Sequence, residues 1–242
     1  MTMPPEVPEI TRSISTELAA TGFARSDGAE IQTALASRGM SDWDRFAASW
    51  DDLGLDLYMA DGGRYRRRRH AVFTITATQL IREPHRPHYQ SRDYNTLNGG
   101  IARWFEPVKN SIASHPVTRA ALDLSYACFN QTSPHPSWEI ELHQFRIAAA
   151  GGNTGQPTPE GMHRDGVDFV TVMLVKRENV QSGVTLIEDI NKTPLGHFTL
   201  THPMDATFVD DHRVLHGVTP ISPIDPTRPA WRDVLVATFR KI

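Results

Sequence analysis

The chain has 242 residues, 39% of them hydrophobic and 22% charged, and a formal net charge of -3. That length supports one large core, and so small a charge offers no overall attraction to nucleic acid or to an anionic membrane. A single cysteine, Cys128, excludes an intrachain disulfide and fits a reducing compartment, so the protein reads as cytoplasmic.

Met1 to Ile10 lacks the basic-then-apolar order of a signal peptide, and no run approaches the roughly 20 apolar residues of a membrane span. Glu9 to Thr21 reads as a helix, with Ile10, Ile14 and Leu18 at steps of four. Ser26 and Asp27 precede a second helix over Ala29 to Arg38, and Ser41 reads as the cap of a third reaching about Trp50. The basic run Arg64 to His70 reads as the solvated edge of a strand rather than a phosphate site. Ala71 to Ile75 is strand-like and Val117 to Phe129 helical. Cys128 sits among Leu122, Leu124, Tyr126 and Phe129 with no adjacent base, as a buried structural thiol would.

From Trp138 onward the texture changes to short β-rich runs divided by turn residues. They are Glu139 to Ala148, Phe169 to Lys176, Gly183 to Glu188, His197 to Thr201, Ala206 to Val209, Arg213 to Val218 and Asp233 to Phe239, with Gly-Gly-Asn, Gln-Ser-Gly, Asn-Lys-Thr-Pro and Asp-Asp between. Strands at this spacing predict a sandwich or jelly roll rather than a parallel βαβ sheet. The expectation is an α+β, mainly β chain: a double-stranded β-helix (jelly roll, cupin-like) with N-terminal helices packed on one face. It forms a single domain over residues 1–242, helix-rich to about 135 and jelly-roll from about 136.

His163-Arg164-Asp165 places two metal-ligand side chains on one face of an extended segment. With 11 histidines and 28 acidic residues in the chain, chance supplies about one His-x-Asp or His-x-Glu, so context decides. That context is His216, on an alternating run where Val214, His216 and Val218 share a face, with about four strands between it and His163. Alone, His216 reads as a core histidine bonded to a backbone carbonyl, the commoner fate of an isolated histidine on an apolar strand. Together, two histidines and one carboxylate leave metal positions open, as in non-haem Fe(II) oxygenases. Zinc would accept the same donors, but the His-Glu-x-x-His of hydrolytic zinc sites is absent.

Arg232 shares a face with Val234, Val236 and Thr238 on the last run. A cation in an apolar row is costly unless it meets an anion, and a planar guanidinium suits a carboxylate. A salt bridge to Asp233 or another edge acid is the plainer reading, and Arg228 is a rival cation in a Pro-rich turn.

In these residues the chain resembles the Fe(II)/2-oxoglutarate-dependent dioxygenases, and more narrowly the bacterial group typified by L-isoleucine 4-hydroxylase, whose members hydroxylate free aliphatic L-amino acids. The resemblance rests on His163 to Val170, Asp210 to Pro220 and Arg232 to Val236. Gln90-Ser91, Asn95, Gly99-Gly100, Arg103 and Phe105 add to it upstream, and it spans roughly residue 60 to the end. It implies His163, Asp165 and His216 as Fe(II) ligands, Arg232 on the distal carboxylate of 2-oxoglutarate, and O2 as the oxidant. His212 competes for the second-histidine role, but the residue before Val-Thr-Pro is His216. Thr171 and Thr185 are candidates for the second partner of the distal carboxylate. A small amino acid such as isoleucine, leucine or methionine would need a cation, for which Arg103 and Arg146 are candidates. Its ammonium would need an acceptor, for which Asn95 and Gln144 are candidates. His143 reads as structural. The same chemistry on an N-acylated amino acid or another small metabolite, and a metal-binding sensor without turnover, are the alternatives; a homodimer is the default assembly.

Overall fold

The computed structural model describes residues 8–150 and 153–242. Met1 to Val7, part of the stretch read for a leader, and the Gly151-Gly152 pair of the first predicted turn lie outside the described residues. Helix α1 (Glu9–Thr21) has the predicted bounds and stops where Gly22 turns left-handed at φ 88° and returns its N–H to Leu18. Strand β1 (Phe23–Ser26) follows, then α2 (Gly28–Ser37), whose first N–H groups at Ala29 and Glu30 donate to the Asp27 carboxylate. Ser41 does not cap the third helix. Asp42 occupies that position in a left-handed conformation, α3 (Trp43–Ala48) is short, and a 3₁₀ turn over Ser49–Asp52 finishes the segment.

Strands β2 (Arg66–Thr76) and β3 (Leu80–Arg82) precede helices α4 (Asn110–Ala113) and α5 (Pro116–Thr132), the latter opened by His115 with proline in its first turn. The rest is strand: β4 (Ser137–Ala149), β5 (Phe169–Glu178), β6 (Val180–Ser182), β7 (Thr185–Asp189), β8 (Pro194–Phe198), β9 (Ala206–Asp210), β10 (Val214–Val218), β11 (Ile221–Pro223) and β12 (Ala230–Lys241). The predicted strand His197 to Thr201 lies three residues earlier. The Thr201 and His202 N–H groups both donate to the Asp205 carboxylate, at 2.7 and 2.9 Å, and so cannot join a ladder.

Seven strands form one sheet in the order β1-β9-β5-β12-β4-β2-β3, and β10-β7-β8 and β11-β6 form smaller ones. The two faces of the large sheet have different tasks. Trp138, Ile140 and Leu142 of β4, with Leu235, Ala237 and Phe239 of β12, pack against α1, α2 and α5 in the main core. The alternate residues, Glu139 to Ile147 by twos and Arg232 to Arg240 by twos, line a cavity on the opposite face. On that side Val170 and Val209 pack against Ile187 and Val214 of the small sheet, which holds the layers together. The architecture is the predicted jelly roll with helices on one face, although β1, β2 and β3 come from the half read as helix-rich.

The basic run is a correction. It belongs to β2, which is hydrogen-bonded along its length to β4, and Arg66, Arg68, Arg69 and His70 are all buried. A solvated edge would leave these charges in water; here Asp56, Asp52 and Glu106 meet them.

Candidate metal centre

The cavity opens between the large sheet and β10, lined on one side by alternate residues of β4 and β12 and on the other by His163, His216 and Val218. At one wall, His163 and His216 form an antiparallel bridge. Gly217 permits this approach: a Cβ there would meet Met162 Sδ at 2.8 Å and the Gly161 carbonyl at 3.1 Å.

Ligand atoms of His163, Asp165 and His216 all lie within 4.8 Å of one another. His163 Nδ1 is 3.0 Å from the Gly161 carbonyl. A carbonyl only accepts, so Nδ1 donates to it and Nε2 faces inward, the atom left to meet a metal. Asp165 Oδ1 is 3.7 Å from that Nε2, and Asp165 Oδ2 is 3.5 Å from His216 Nε2. Burial resists charge on these groups, yet Asp165 and Glu160 beside it raise His163 to about 9. Burial would also raise Asp165, but the two imidazoles hold it well below the usual carboxylate range. Once a metal displaces the proton that His163 holds, two imidazole nitrogens and one carboxylate, with a protein-free side toward the cavity, would fit divalent iron as a facial triad.

Two residues to which the sequence reading gave no role support this group. The Asp211 carboxylate accepts the N–H groups of Asp165, Gly166 and Val167 at 2.9, 2.7 and 3.1 Å, which fixes the loop carrying the ligands. Gln90 Nε2 donates to the Asp165 carbonyl at 3.1 Å and its Oδ1 at 3.3 Å, while Gln90 Oε1 lies 3.5 Å from Arg103 Nη2. Both stand in stretches that carry the family resemblance, Asp211 in Asp210 to Pro220 and Gln90 in Gln90-Ser91, but nothing there gave either a role.

Arg232 lines the cavity at 3% exposure, and its Nε has no partner. Burial and nearby Arg177 lower it to about 10, as expected of a guanidinium lacking an anion. The plain reading, a bridge to Asp233, fails because Asp233 sits on the other face and binds Arg146 through both oxygens at 2.7 Å. Arg228 is exposed beside Glu178, and His212 is exposed beside Asp168.

Of the substrate and co-substrate candidates, Asn95 and Arg103 line the cavity. Gln144, Arg146 and Thr171 do not, and they are corrections with one cause. They share the parity of the core residues, so they point toward the helices: Gln144 donates to Ser49, Arg146 pairs with Asp233 and Asp51, and Thr171 donates to Ser125. Thr185, opposite Val218 in β7, is buried without reaching the cavity wall. His143 moves the other way. Read as structural, it lines the cavity beside Arg68, His88 and Glu141. Cys128 is buried as expected, and burial pushes its thiol up to about 12.

The sequence pattern of the 2OG-Fe dioxygenase family matches residues 47–238. A 3(1)-hydroxy-L-isoleucine 4-dioxygenase of Pantoea ananatis is 28% identical over 159 residues, which are 64% of this chain and 64% of the relative, just under two thirds of its length. An L-isoleucine-4-hydroxylase of Bacillus thuringiensis is 26% identical over 194 residues, 76% of this chain and 80% of the relative. The crystal structure of a bsmA homolog from Methylobium petroleophilum PM1 superposes with a TM-score of 0.87 at 37% identity, covering 100% of this chain and 97% of that one.

Proposed function

Because the chain belongs to the 2OG-Fe dioxygenase family, we propose that it hydroxylates an unactivated C–H of a free aliphatic L-amino acid, of the isoleucine, leucine or methionine type. The observation that carries this is one cavity lined by both the His163, Asp165, His216 triad and the unpaired, buried Arg232. Bound Fe(II), with 2-oxoglutarate and O2, supplies the oxidising power and releases succinate and CO2. The relatives named for isoleucine and hydroxyisoleucine support the substrate class.

In this reading His163, Asp165 and His216 hold the metal, and Gln90 with Asp211 keep Asp165 aimed at it. Arg232 binds the distal carboxylate of 2-oxoglutarate as a planar fork. Arg66 lies level with it across Ile147 of β4, and its Nη2 is also unpartnered, so a second cation serves the same end. Val170, Val172, Val234 and Val236 make the wall between apolar, which excludes water and suits an aliphatic side chain. Arg103, 1% exposed with an unpartnered Nε, takes the substrate carboxylate. The partner is thus a small molecule. Arg66, Arg68 and Arg69 of the basic run are buried, and no helix among the described residues is long and apolar enough to cross a membrane. The one buried thiol agrees with a reducing, cytoplasmic setting.

Anaerobic Fe(II) plus 2-oxoglutarate should produce a visible charge-transfer band, lost in His216→Ala and weakened in Arg232→Ala. Assay of succinate with each of the twenty amino acids then tests the substrate class. If none raises succinate above the uncoupled rate, the free amino acid reading is wrong.

A further inference from the structure

Deep in the same cavity, away from the triad, three histidines surround one carboxylate. Glu141 Oε2 lies 3.5 Å from His70 Nε2, 3.8 Å from His143 Nε2, and in direct hydrogen-bond contact with His88 Nδ1. All four residues come together closely enough to hold a metal, but the protons argue otherwise. Arg68 Nη2 is 2.8 Å from His143 Nδ1. Guanidinium only donates, so His143 Nδ1 must accept and its proton sits on Nε2, facing Glu141. A nitrogen that carries a proton cannot ligate a metal. His88 likewise gives its Nδ1 proton to Glu141. Burial holds His70, His88 and His143 neutral, with His88 down to about 4. The cluster is therefore one anion whose Oε2 is held by the His88 Nδ1–H, with the Nε2 atoms of His70 and His143 close by.

What remains open is the other side of that anion. Glu141 Oε1 makes no hydrogen bond among the described residues, and Glu141 lines the cavity. His88 also lines it, and with its proton on Nδ1 its Nε2 is a bare acceptor. The same wall carries the cations Arg68 and Arg103. The earlier candidates for an ammonium acceptor do not serve: Gln144 faces the helices, and Asn95 Oδ1 is engaged by the Asn98 N–H at 2.6 Å. Glu160 is the rival carboxylate, but its Oε1 lies 3.5 Å from His163 Nε2, at the metal position itself.

We propose that Glu141 Oε1, with His88 Nε2, binds the α-ammonium group of the substrate, so that the enzyme accepts free amino acids and rejects N-acylated ones. This rests on the amino acid reading above and deepens it. An ammonium brings a positive charge and three N–H donors to a fixed anion. An N-acyl group brings one N–H, no charge, and bulk, and leaves a buried carboxylate uncompensated.

The test titrates the anaerobic Fe(II) and 2-oxoglutarate complex with L-isoleucine, L-leucine and L-methionine, their N-acetyl derivatives, and their deaminated acids, following the shift of the charge-transfer band. In the unmodified protein only the free amino acids should shift the band. In Glu141→Gln their dissociation constants should rise roughly 100-fold, as for loss of a buried charge partner, while the band formed before their addition and the melting temperature stay near those of the unmodified protein. Glu141→Asp should recover part of the affinity. Equal binding of an N-acetyl or deaminated compound by the unmodified protein overturns the proposal even if the variants do not fold. So does unchanged affinity in Glu141→Gln, loss of affinity in Glu160→Gln instead, or a second bound metal per chain that Glu141→Gln removes. If no free amino acid shifts the band of the unmodified protein, the amino acid reading has failed and this one with it, an outcome distinct from the others.

Discussion

His163 and His216 exchange both backbone hydrogen bonds of an antiparallel pair, His163 N–H to the His216 carbonyl at 3.0 Å and His216 N–H to the His163 carbonyl at 2.9 Å. Two metal ligands distant in sequence are thus set in register by main chain, before any ion binds. A site pre-organised in this way loses little when an imidazole is cut back, because the ladder does not depend on the side chain.

His216→Ala should accordingly fold, with a melting temperature within a few degrees of the parent, and yet fail to bind Fe(II). Calorimetry or equilibrium dialysis under anaerobic conditions checks this. A variant that binds iron as tightly as the parent would remove His216 from the ligand set.

Asp211 should matter to both stability and metal. Its carboxylate is the acceptor for three successive N–H groups on the ligand loop, so Asp211→Ala strands buried donors at a cost of about 3 kcal/mol. Loosening Asp165 should weaken iron affinity by roughly 10- to 100-fold, the range for residues that orient ligands. Urea unfolding and a metal titration measure the two separately, and a variant unchanged in both would refute the cradle.

Much of this was legible from alternation in the sequence. Arg232, Val234, Val236 and Thr238 share a face on paper and in the structure, because a strand leaves no choice of period. What alternation cannot say is which face meets the cavity. Phe169 and Thr171 read as one face, Val170 and Val172 as the other, and both are apolar enough for a core. Only the docking of α5, with Ser125 against Thr171, turns that residue away from the co-substrate. Gln144 and Arg146 were misplaced in the same way, since their register with Trp138 and Leu142 mattered more than their polarity. The basic run misled for the opposite reason: four arginines in a row look solvated until Asp56, from the loop before the strand, is seen paired with Arg66 and Arg68. Asp211 and Gln90 lie in the resembling stretches, but they act through backbone amides and the carboxylate of a ligand, contacts that alternation does not show.

Thr171→Val and Arg146→Met separate the two faces experimentally. Thr171→Val removes one buried hydrogen bond and should lower stability by about 1 kcal/mol without altering the affinity for 2-oxoglutarate. Arg146→Met leaves Asp233, 1% exposed, without its bidentate partner, and should cost about 3 kcal/mol or more with KM for the amino acid unchanged. Denaturant midpoints and steady-state kinetics decide both. A large rise in KM in either variant would return that residue to the active site.

Acid should destabilise the metal-free protein well above the carboxylate range. Burial pushes His88 down to about 4 from an ordinary 6.5, and His70 and His143 shift the same way for the same reason. Between those values the unfolded chain takes up a proton that the folded His88 refuses, so folding stability rises with pH across the window and is complete above about 6.5. The shift corresponds to about 3 kcal/mol for His88 alone. Glu141, held low by His70 and His88 against its own burial, acts in the same direction below the usual carboxylate range, where protonation costs it those bonds. His163, raised to about 9, works in the opposite sense between 9 and 6.5 and is already protonated in both states below that. Urea midpoints measured at pH 6, 5.5 and 5 should therefore fall steadily, and His88→Gln, which cannot take up a proton, should flatten the slope. A midpoint that stays constant from pH 6 to 5 would mean that the histidines around Glu141 are not held neutral, and would also undercut the assignment of their protons.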